Sequence, residues 1–280
     1  MQNTLKIKRT KTALAFNLAI IACEIAAIII VFFKIGCYPL IYYTEDSNLF
    51  ALVACAVMAG FQVRYLKSGK EIPHSVQMFK YMAAAMLSVT FIVVLAVLSP
   101  MRGEGINGWL YMLFNKDFTF LHTLCPILTI LSFVLFEKEP HLNTKSAFTA
   151  TIPTLIYAIL LIILNIVGAV DGPYPFLRVM NQPLHMSFVW FIVIVGGAFF
   201  LALLLQKLNS IGRKRKYKQG DKGTTDTIAT ESHSDPKTTK DYKQRQYTHS
   251  NTIRQGKLQI LIKCIFRTSC HTFFPSSIVP

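Results

Sequence analysis

Six stretches of mainly apolar residues follow one another in the chain, and they constrain its fold more than any other feature. They cover about residues 13–33, 44–63, 81–98, 117–137, 147–170 and 186–206. A helix of ~20 apolar residues is long enough to cross the hydrocarbon core of a bilayer. A soluble domain cannot bury six such helices in a chain of this length. The sequence therefore predicts an all-α, polytopic integral membrane protein with six transmembrane helices.

The basic residues predict how these helices are oriented. Of the 29 Lys and Arg residues, 14 lie in residues 1–206 and 15 in residues 207–280. The amino-terminal arm (residues 1–12), the second and fourth loops and the tail hold 25 of them, against 4 in the other three loops. Loops rich in Lys and Arg stay in the cytoplasm. Both termini are thus predicted to be cytoplasmic, in a multi-pass protein of the cell membrane. The polar, basic tail (residues 207–280) has the composition of a disordered segment.

Other functional classes receive little support from the composition. The net charge of +15 lies mostly in the tail and in alternate loops, and no base-reading motif accompanies it, so we expect no nucleic-acid partner. The six cysteines lack the spacing of a metal site, and no cofactor motif is present. The basic start MQNTLKIKRTKT precedes an apolar stretch without a small-residue cleavage site, which predicts an anchor helix rather than a removed signal peptide.

Local features add further expectations about the helices. Pro100 is expected to end the third helix at Ser99. The pair Gly196–Gly197 is expected to be a site of close helix packing. Arg64, Lys67, Lys70 and Lys80 are interpreted as flanks of the loop before the third helix.

Glu24 and His122 are ionisable residues that lie well inside apolar stretches. Glu24 is near the middle of the first and is expected to face the bundle interior, because a charge exposed to lipid is costly. His122 lies in the fourth, DFTFLHTLCPILTILSFVLFE, and by the same principle marks a site. The alternative is a histidine packed between helices and bonded to a backbone carbonyl. Pro126 follows one turn later and predicts a kink that exposes a carbonyl beside the imidazole.

The second apolar stretch opens with YYTEDSNLFA and carries a candidate nucleophile. Thr44, Ser47 and Asn48 are spaced i, i+3, i+4 and therefore share one helix face. With both termini inside, Thr44, His122 and the DGPYPFL loop meet at the outer end of the bundle. An imidazole can accept the proton of a threonine hydroxyl, and helix N–H groups can stabilise an oxyanion. The alternatives are a simple N-cap at Thr44 and an interhelical hydrogen bond at Asn48.

The segments YYTEDSNLF, FLHTLCPILTILSFVLFE and GPYPFL, in that order, resemble the androgen-induced, FAR-17a-like multi-span membrane protein family. They resemble its prokaryotic six-span relatives more closely, over about residues 12–206. Characterised animal members are threonine hydrolases that cleave fatty acid esters of hydroxy fatty acids. The resemblance implies Thr44 as nucleophile and His122 as its partner. Asn48 and Tyr174 are the residues that we expect to contact substrate.

One segment departs from the animal members of that family and is similar to what the prokaryotic relatives tend to have. After Thr44 the animal enzymes have apolar residues, whereas this chain has Glu45, Asp46, Ser47 and Asn48. Two carboxylates next to the nucleophile disfavour an oxyanion and would suit a cationic head group.

The sequence thus favours a threonine-dependent lipid-ester hydrolase in the outer leaflet, with membrane lipids and a lipid ester as partners. The alternative is a non-enzymatic transporter or lipid-binding protein, in which a polar cavity is lined by Glu24, Asn48, His122 and Asn165. A third hypothesis is a scaffold whose tail acts, with RKRKYK binding anionic lipid head groups.

Overall fold

A computed structural model describes residues 2–35, 41–115, 118–138 and 142–211 of the chain. Its regular structure within these ranges is entirely helical. The long helices are α1 (Gln2–Ile35), α2 (Tyr43–Ser68), α3 (His74–Met101), α5 (Thr119–Phe136), α6 (Thr144–Ile166) and α7 (Leu184–Ser210), and a short helix α4 (Ile106–Phe114) connects α3 to α5. Two 3₁₀ turns, Pro175–Leu177 and Val179–Asn181, lie between α6 and α7. The tail hypothesis concerns residues outside the described ranges.

Six of these helices are long and apolar enough to cross a membrane, which confirms the predicted fold class. Their large apolar side chains point outward as well as inward; Phe33, Ile156, Phe188 and Ile192 are among the exposed ones. A belt of exposed aliphatic and aromatic groups is expected where lipid tails surround the bundle. The cytoplasmic location of the termini stays a prediction.

Helix α3 lies at the centre of the bundle and packs against α2, α5, α6 and α7. Small residues make this close packing feasible, because they let helix backbones approach each other. Ala51 and Ala54 of α2 face Ala83 of α3. On another face of α3, Tyr81 stacks on Phe133 of α5, with ring centroids 5.1 Å apart. The Tyr81 hydroxyl also donates to the Ala202 carbonyl of α7 at 2.6 Å.

Among the described residues, three wide π-helical turns occur in the long helices: Val94–Leu98 within α3, and Thr119–Leu124 and Ser132–Phe136 at the two ends of α5. The first corrects the expectation that Pro100 ends α3. Because the Ser99 N–H bonds to the Val94 carbonyl five residues back, the widened turn accommodates the proline ring and the helix continues to Met101. The second precedes Pro126, so the distortion expected there takes the form of a π turn around His122.

Two other local expectations are wrong. Helix α3 begins at His74 and includes Lys80, which is fully buried and is no part of the loop. Gly196 and Gly197 are not in close contact with a neighbouring helix, because a Cβ atom added at either position would meet no atom within 4 Å.

Candidate functional site

Thr44 lies in the first turn of α2, and its side chain is only 5 % exposed. It lines a small cavity of about 40 Å³ with an apolar surface. The other lining residues come from α2, α3, α6, α7 and the loop between α6 and α7: Tyr43, Val89, Thr90, Val93, Val94, Leu98, Thr154, Tyr157, Ala158, Tyr174, Phe176, Leu177 and Ile194. This volume holds a few waters or a short piece of hydrocarbon. Any longer ligand must extend between the helices or into lipid.

Tyr174 closes this cavity from the loop side. Its side chain is buried and lies within hydrogen-bonding reach of Thr44. Its ring stacks on Phe176 at 5.1 Å and meets Tyr42 edge-on at 5.9 Å. Burial, reinforced by the nearby Glu45 carboxyl, raises the pKa of the Tyr174 hydroxyl above its ordinary value. The hydroxyl is therefore kept neutral and able to donate a hydrogen bond.

The loop that carries Tyr174 is held tightly at its start. A Cβ atom at Gly172 would lie 2.7 Å from the main-chain carbon and oxygen of Leu177. The Arg178 side chain also donates to the Gly172 carbonyl at 3.1 Å. A glycine is therefore required here by close backbone approach.

Asn48 is fully buried one turn after Thr44 and links two helices. Its Nδ2 atom donates to the Thr44 carbonyl at 2.7 Å and to the Leu121 carbonyl of α5 at 3.2 Å. This is the interhelical hydrogen bond weighed above as the alternative to substrate binding. Since Leu121 precedes His122, the bond brings the π turn that carries the imidazole against the first turns of α2.

His122 is buried in that π turn, with its Nδ1 atom 2.7 Å from the Met112 carbonyl of α4. Its ring stacks on Phe118 with centroids 4.8 Å apart. A carbonyl only accepts hydrogen bonds, so Nδ1 carries a proton in this contact. In the neutral tautomer with that proton, Nε2 is the basic nitrogen. The described contacts of Thr44 are with Ser47, Asn48 and Tyr174. Those of His122 are with Met112 and Phe118.

A second polar cluster lies deep in the bundle around Lys80. Its ammonium donates to Asn17 Oδ1 at 2.6 Å and to Cys55 Sγ at 2.9 Å, and lies 3.9 Å from Glu137 Oε2. Glu137 Oε1 accepts from Asn17 Nδ2 at 2.5 Å and from Gln62 Nε2 at 3.1 Å. Four elements thus share one buried ion pair.

Sequence reasoning missed this cluster. Lys80 stands at the edge of an apolar stretch, where a lysine ordinarily marks the membrane surface, and its partner Glu137 is far away along the chain. The sequence did contain one indication of a polar cluster. Two amide side chains, Asn17 and Gln62, lie inside apolar stretches.

Glu24 faces the bundle interior as expected and is fully buried. The Cys125 thiol of α5 lies beside the Glu24 carboxyl group. The positive charge of the Lys80 ammonium attracts that carboxyl group. The residues proposed to line a transport cavity, namely Glu24, Asn48, His122 and Asn165, contribute to neither of the two cavities described for the bundle. Within the described ranges, no group of three or more His, Cys, Asp or Glu side chains is arranged to hold a metal ion.

These features define a multi-pass integral membrane protein with a buried threonine at one end of the bundle and a buried ion pair nearer the other. Comparison with protein-family models, curated proteins and solved structures found no match to the chain.

Proposed function

We propose that the protein is a membrane-embedded hydrolase of lipid carboxylic esters, with Thr44 as nucleophile and His122 as general base. The observation that carries this proposal is the Asn48 bridge between the carbonyls of Thr44 and Leu121. It ties the turn of α2 that begins with the nucleophile to the turn of α5 that holds the base. The resemblance to FAR-17a-like threonine hydrolases supports the same assignment, since the segments that hold Thr44 and His122 are two of the three that carry it.

The proposed reaction would use the neutral form of His122, with its proton on Nδ1. Its Nε2 lone pair would accept the Thr44 hydroxyl proton as Oγ1 attacks the ester carbonyl carbon. The imidazolium would then protonate the leaving alcohol. Water, deprotonated in turn by Nε2, would cleave the threonyl ester and release the fatty acid.

Two groups near Thr44 would stabilise the oxyanion. The main-chain N–H groups of Tyr43 and Thr44 lack intrahelical acceptors, and they face the Tyr174 hydroxyl oxygen. A substrate oxygen that enters beside this hydroxyl would take over these donors. The Tyr174 hydroxyl, held neutral by burial, is a second donor. The apolar surface of the adjoining cavity suits the hydrocarbon next to an ester group.

Ester turnover by matched variants tests this function. Thr44→Ala and His122→Ala should each lower the turnover of a long-chain lipid ester at least a hundredfold at equal protein level. Thr151→Ala removes a buried threonine hydroxyl of α6 and His185→Ala removes an exposed imidazole at the start of α7, so both should retain turnover. Equal turnover in all four variants and the wild type would remove the Thr44/His122 pair from consideration.

The rival function is lipid binding or transport without hydrolysis. The specific observation in its favour is the buried Lys80–Glu137 pair, since ionisable groups inside a membrane domain often serve transport. A protein of this kind would bind lipid and show no turnover with any ester, and Thr44→Ala would leave binding unchanged.

A further inference from the structure

A second, larger cavity lies at the other end of the bundle from Thr44. It has a volume of about 550 Å³, within the range of small-molecule sites. Gln62 of α2 lines it, 18 residues after Thr44, which corresponds to about 27 Å along the helix axis at 1.5 Å per residue. The cavity is therefore separate from the site proposed for hydrolysis. Its walls come from α1, α2, the start of α3 and the end of α5.

The carboxylates that line this cavity are already paired with lysines. Glu71 at the rim binds Lys6 at 2.7 Å. Glu137 at the floor lies 3.9 Å from the buried ammonium of Lys80, and two amides bond its other oxygen. Both negative charges of the lining are thus balanced.

Arg9 supplies positive charge to the wall beyond these pairs. It is half-buried in α1 and faces Tyr65 of α2, and no carboxylate of a described residue lies within ion-pair distance. A guanidinium held partly out of water favours an anionic partner, and its planar fork matches two oxygens of one phosphate group. The hydroxyl group of Tyr65, from α2, lines the same wall and is a further donor.

We propose that this cavity binds a phosphate group, with Arg9 as its principal contact. A tetrahedral phosphate can accept from donors on several sides, which fits a wall shared by α1 and α2. The phosphate can belong to a lipid head group at this surface of the membrane or to a soluble phosphorylated compound. Neither source requires any step at Thr44.

Ligand-induced stabilisation of the purified full chain tests the proposal. The protein in dodecyl maltoside is titrated with inorganic phosphate, glycerol 3-phosphate and dioctanoyl phosphatidic acid, with dioctanoylglycerol and chloride of equal ionic strength as controls. A ligand that binds the folded state raises the apparent Tm in a saturable way. We expect a rise with at least one phosphate compound and none with either control.

Variants then identify the contact. Arg9→Gln should weaken the apparent affinity roughly tenfold or more, and Arg9→Lys should give an intermediate value because it keeps the charge but loses the fork. Arg64→Gln is the matched control, since Arg64 is exposed and stacks on Phe61 outside the cavity. It should bind as the wild type does.

The ligand series separates the two sources. A response to phosphatidic acid alone indicates a lipid head group, whereas an equal response to glycerol 3-phosphate indicates a soluble compound. Absence of a saturable shift in the wild type would overturn the proposal, and so would equal weakening by Arg9→Gln and Arg64→Gln, which would indicate general surface charge.

Discussion

The Asn48 amide nitrogen lies 3.2 Å from the main-chain oxygen of Leu121, the residue before His122. Asn48→Ala removes this bond together with the bond to the Thr44 carbonyl. We expect it to lower the free energy of unfolding by about 1–2 kcal/mol. Because the two helices lose their register at the site, kcat should fall roughly tenfold while KM changes little.

Asn165→Ala is the control for Asn48→Ala. Asn165 is also buried, but its Nδ2 atom donates to Val170 within the α6–α7 connection. A similar loss of stability with unchanged kcat is expected. If both variants lose kcat equally, Asn48 has no positioning role.

Removing one member of the buried ion pair should be costly. Lys80→Met leaves the Glu137 carboxylate in the bundle without its cation, and such a change typically costs about 3–5 kcal/mol. Thermal unfolding in detergent measures the effect. The double variant Lys80→Met/Glu137→Gln should recover much of the loss, because no uncompensated charge remains.

Lys67→Met, at an exposed position of α2, is the control for the ion pair. Its stability should stay within about 0.5 kcal/mol of the wild type. A single Lys80→Met variant as stable as Lys67→Met would show that the pair contributes nothing to stability.

Two glycines should respond oppositely to alanine. At Gly172 a Cβ atom would overlap the Leu177 backbone, so Gly172→Ala should displace the loop that carries Tyr174 and lower both stability and turnover. At Gly197, inside α7, the added methyl meets no atom within 4 Å, and alanine should stabilise the helix by about 0.5–1 kcal/mol. Unfolding curves that rank the two variants in the reverse order would contradict this packing.

Tyr174→Phe tests the second oxyanion donor. The ring contacts are kept and only the hydroxyl beside Thr44 is lost, so turnover should fall about a hundredfold with little change in stability. Because the pKa of Tyr174 is raised, its hydroxyl stays protonated up to pH 10, and the wild-type rate should show no loss from its ionisation below that pH. Tyr81→Phe, which removes a buried hydroxyl bonded to Ala202, should keep the turnover.

The sequence was sufficient to predict the membrane helices and the inward orientation of Glu24. The length of the apolar stretches predicts the helices, and the cost of exposing a charge to lipid predicts the orientation of Glu24. These two predictions do not require knowing which helices are neighbours. The same reasoning failed for Lys80, because a lysine at the end of an apolar stretch has the same local sequence whether it reaches the membrane surface or a buried carboxylate. Only the tertiary contact with Glu137 distinguishes the two cases.

In the candidate site, too, the features set by local sequence were predicted and those set by tertiary contacts were not. The spacing of Thr44 and Asn48 predicted that they share one helix face, and the structure shows both residues buried on α2. That the Asn48 amide spans to Leu121 could not be predicted, because the π turn that exposes the Leu121 carbonyl depends on how α5 packs around Pro126. The end of α3 was also predicted wrongly, because the wide π turn before Pro100 lets the helix continue past it.

The central claim is an activated threonine at position 44, and covalent labelling tests it most directly. Membranes containing the protein are treated with a fluorophosphonate probe, and the modified residue is identified by mass spectrometry. We expect an adduct on Thr44 in the wild type and in Thr151→Ala, and no adduct in Thr44→Ala or His122→Ala. Folded wild-type protein without an adduct on Thr44, or labelling that persists in His122→Ala, would contradict the claim.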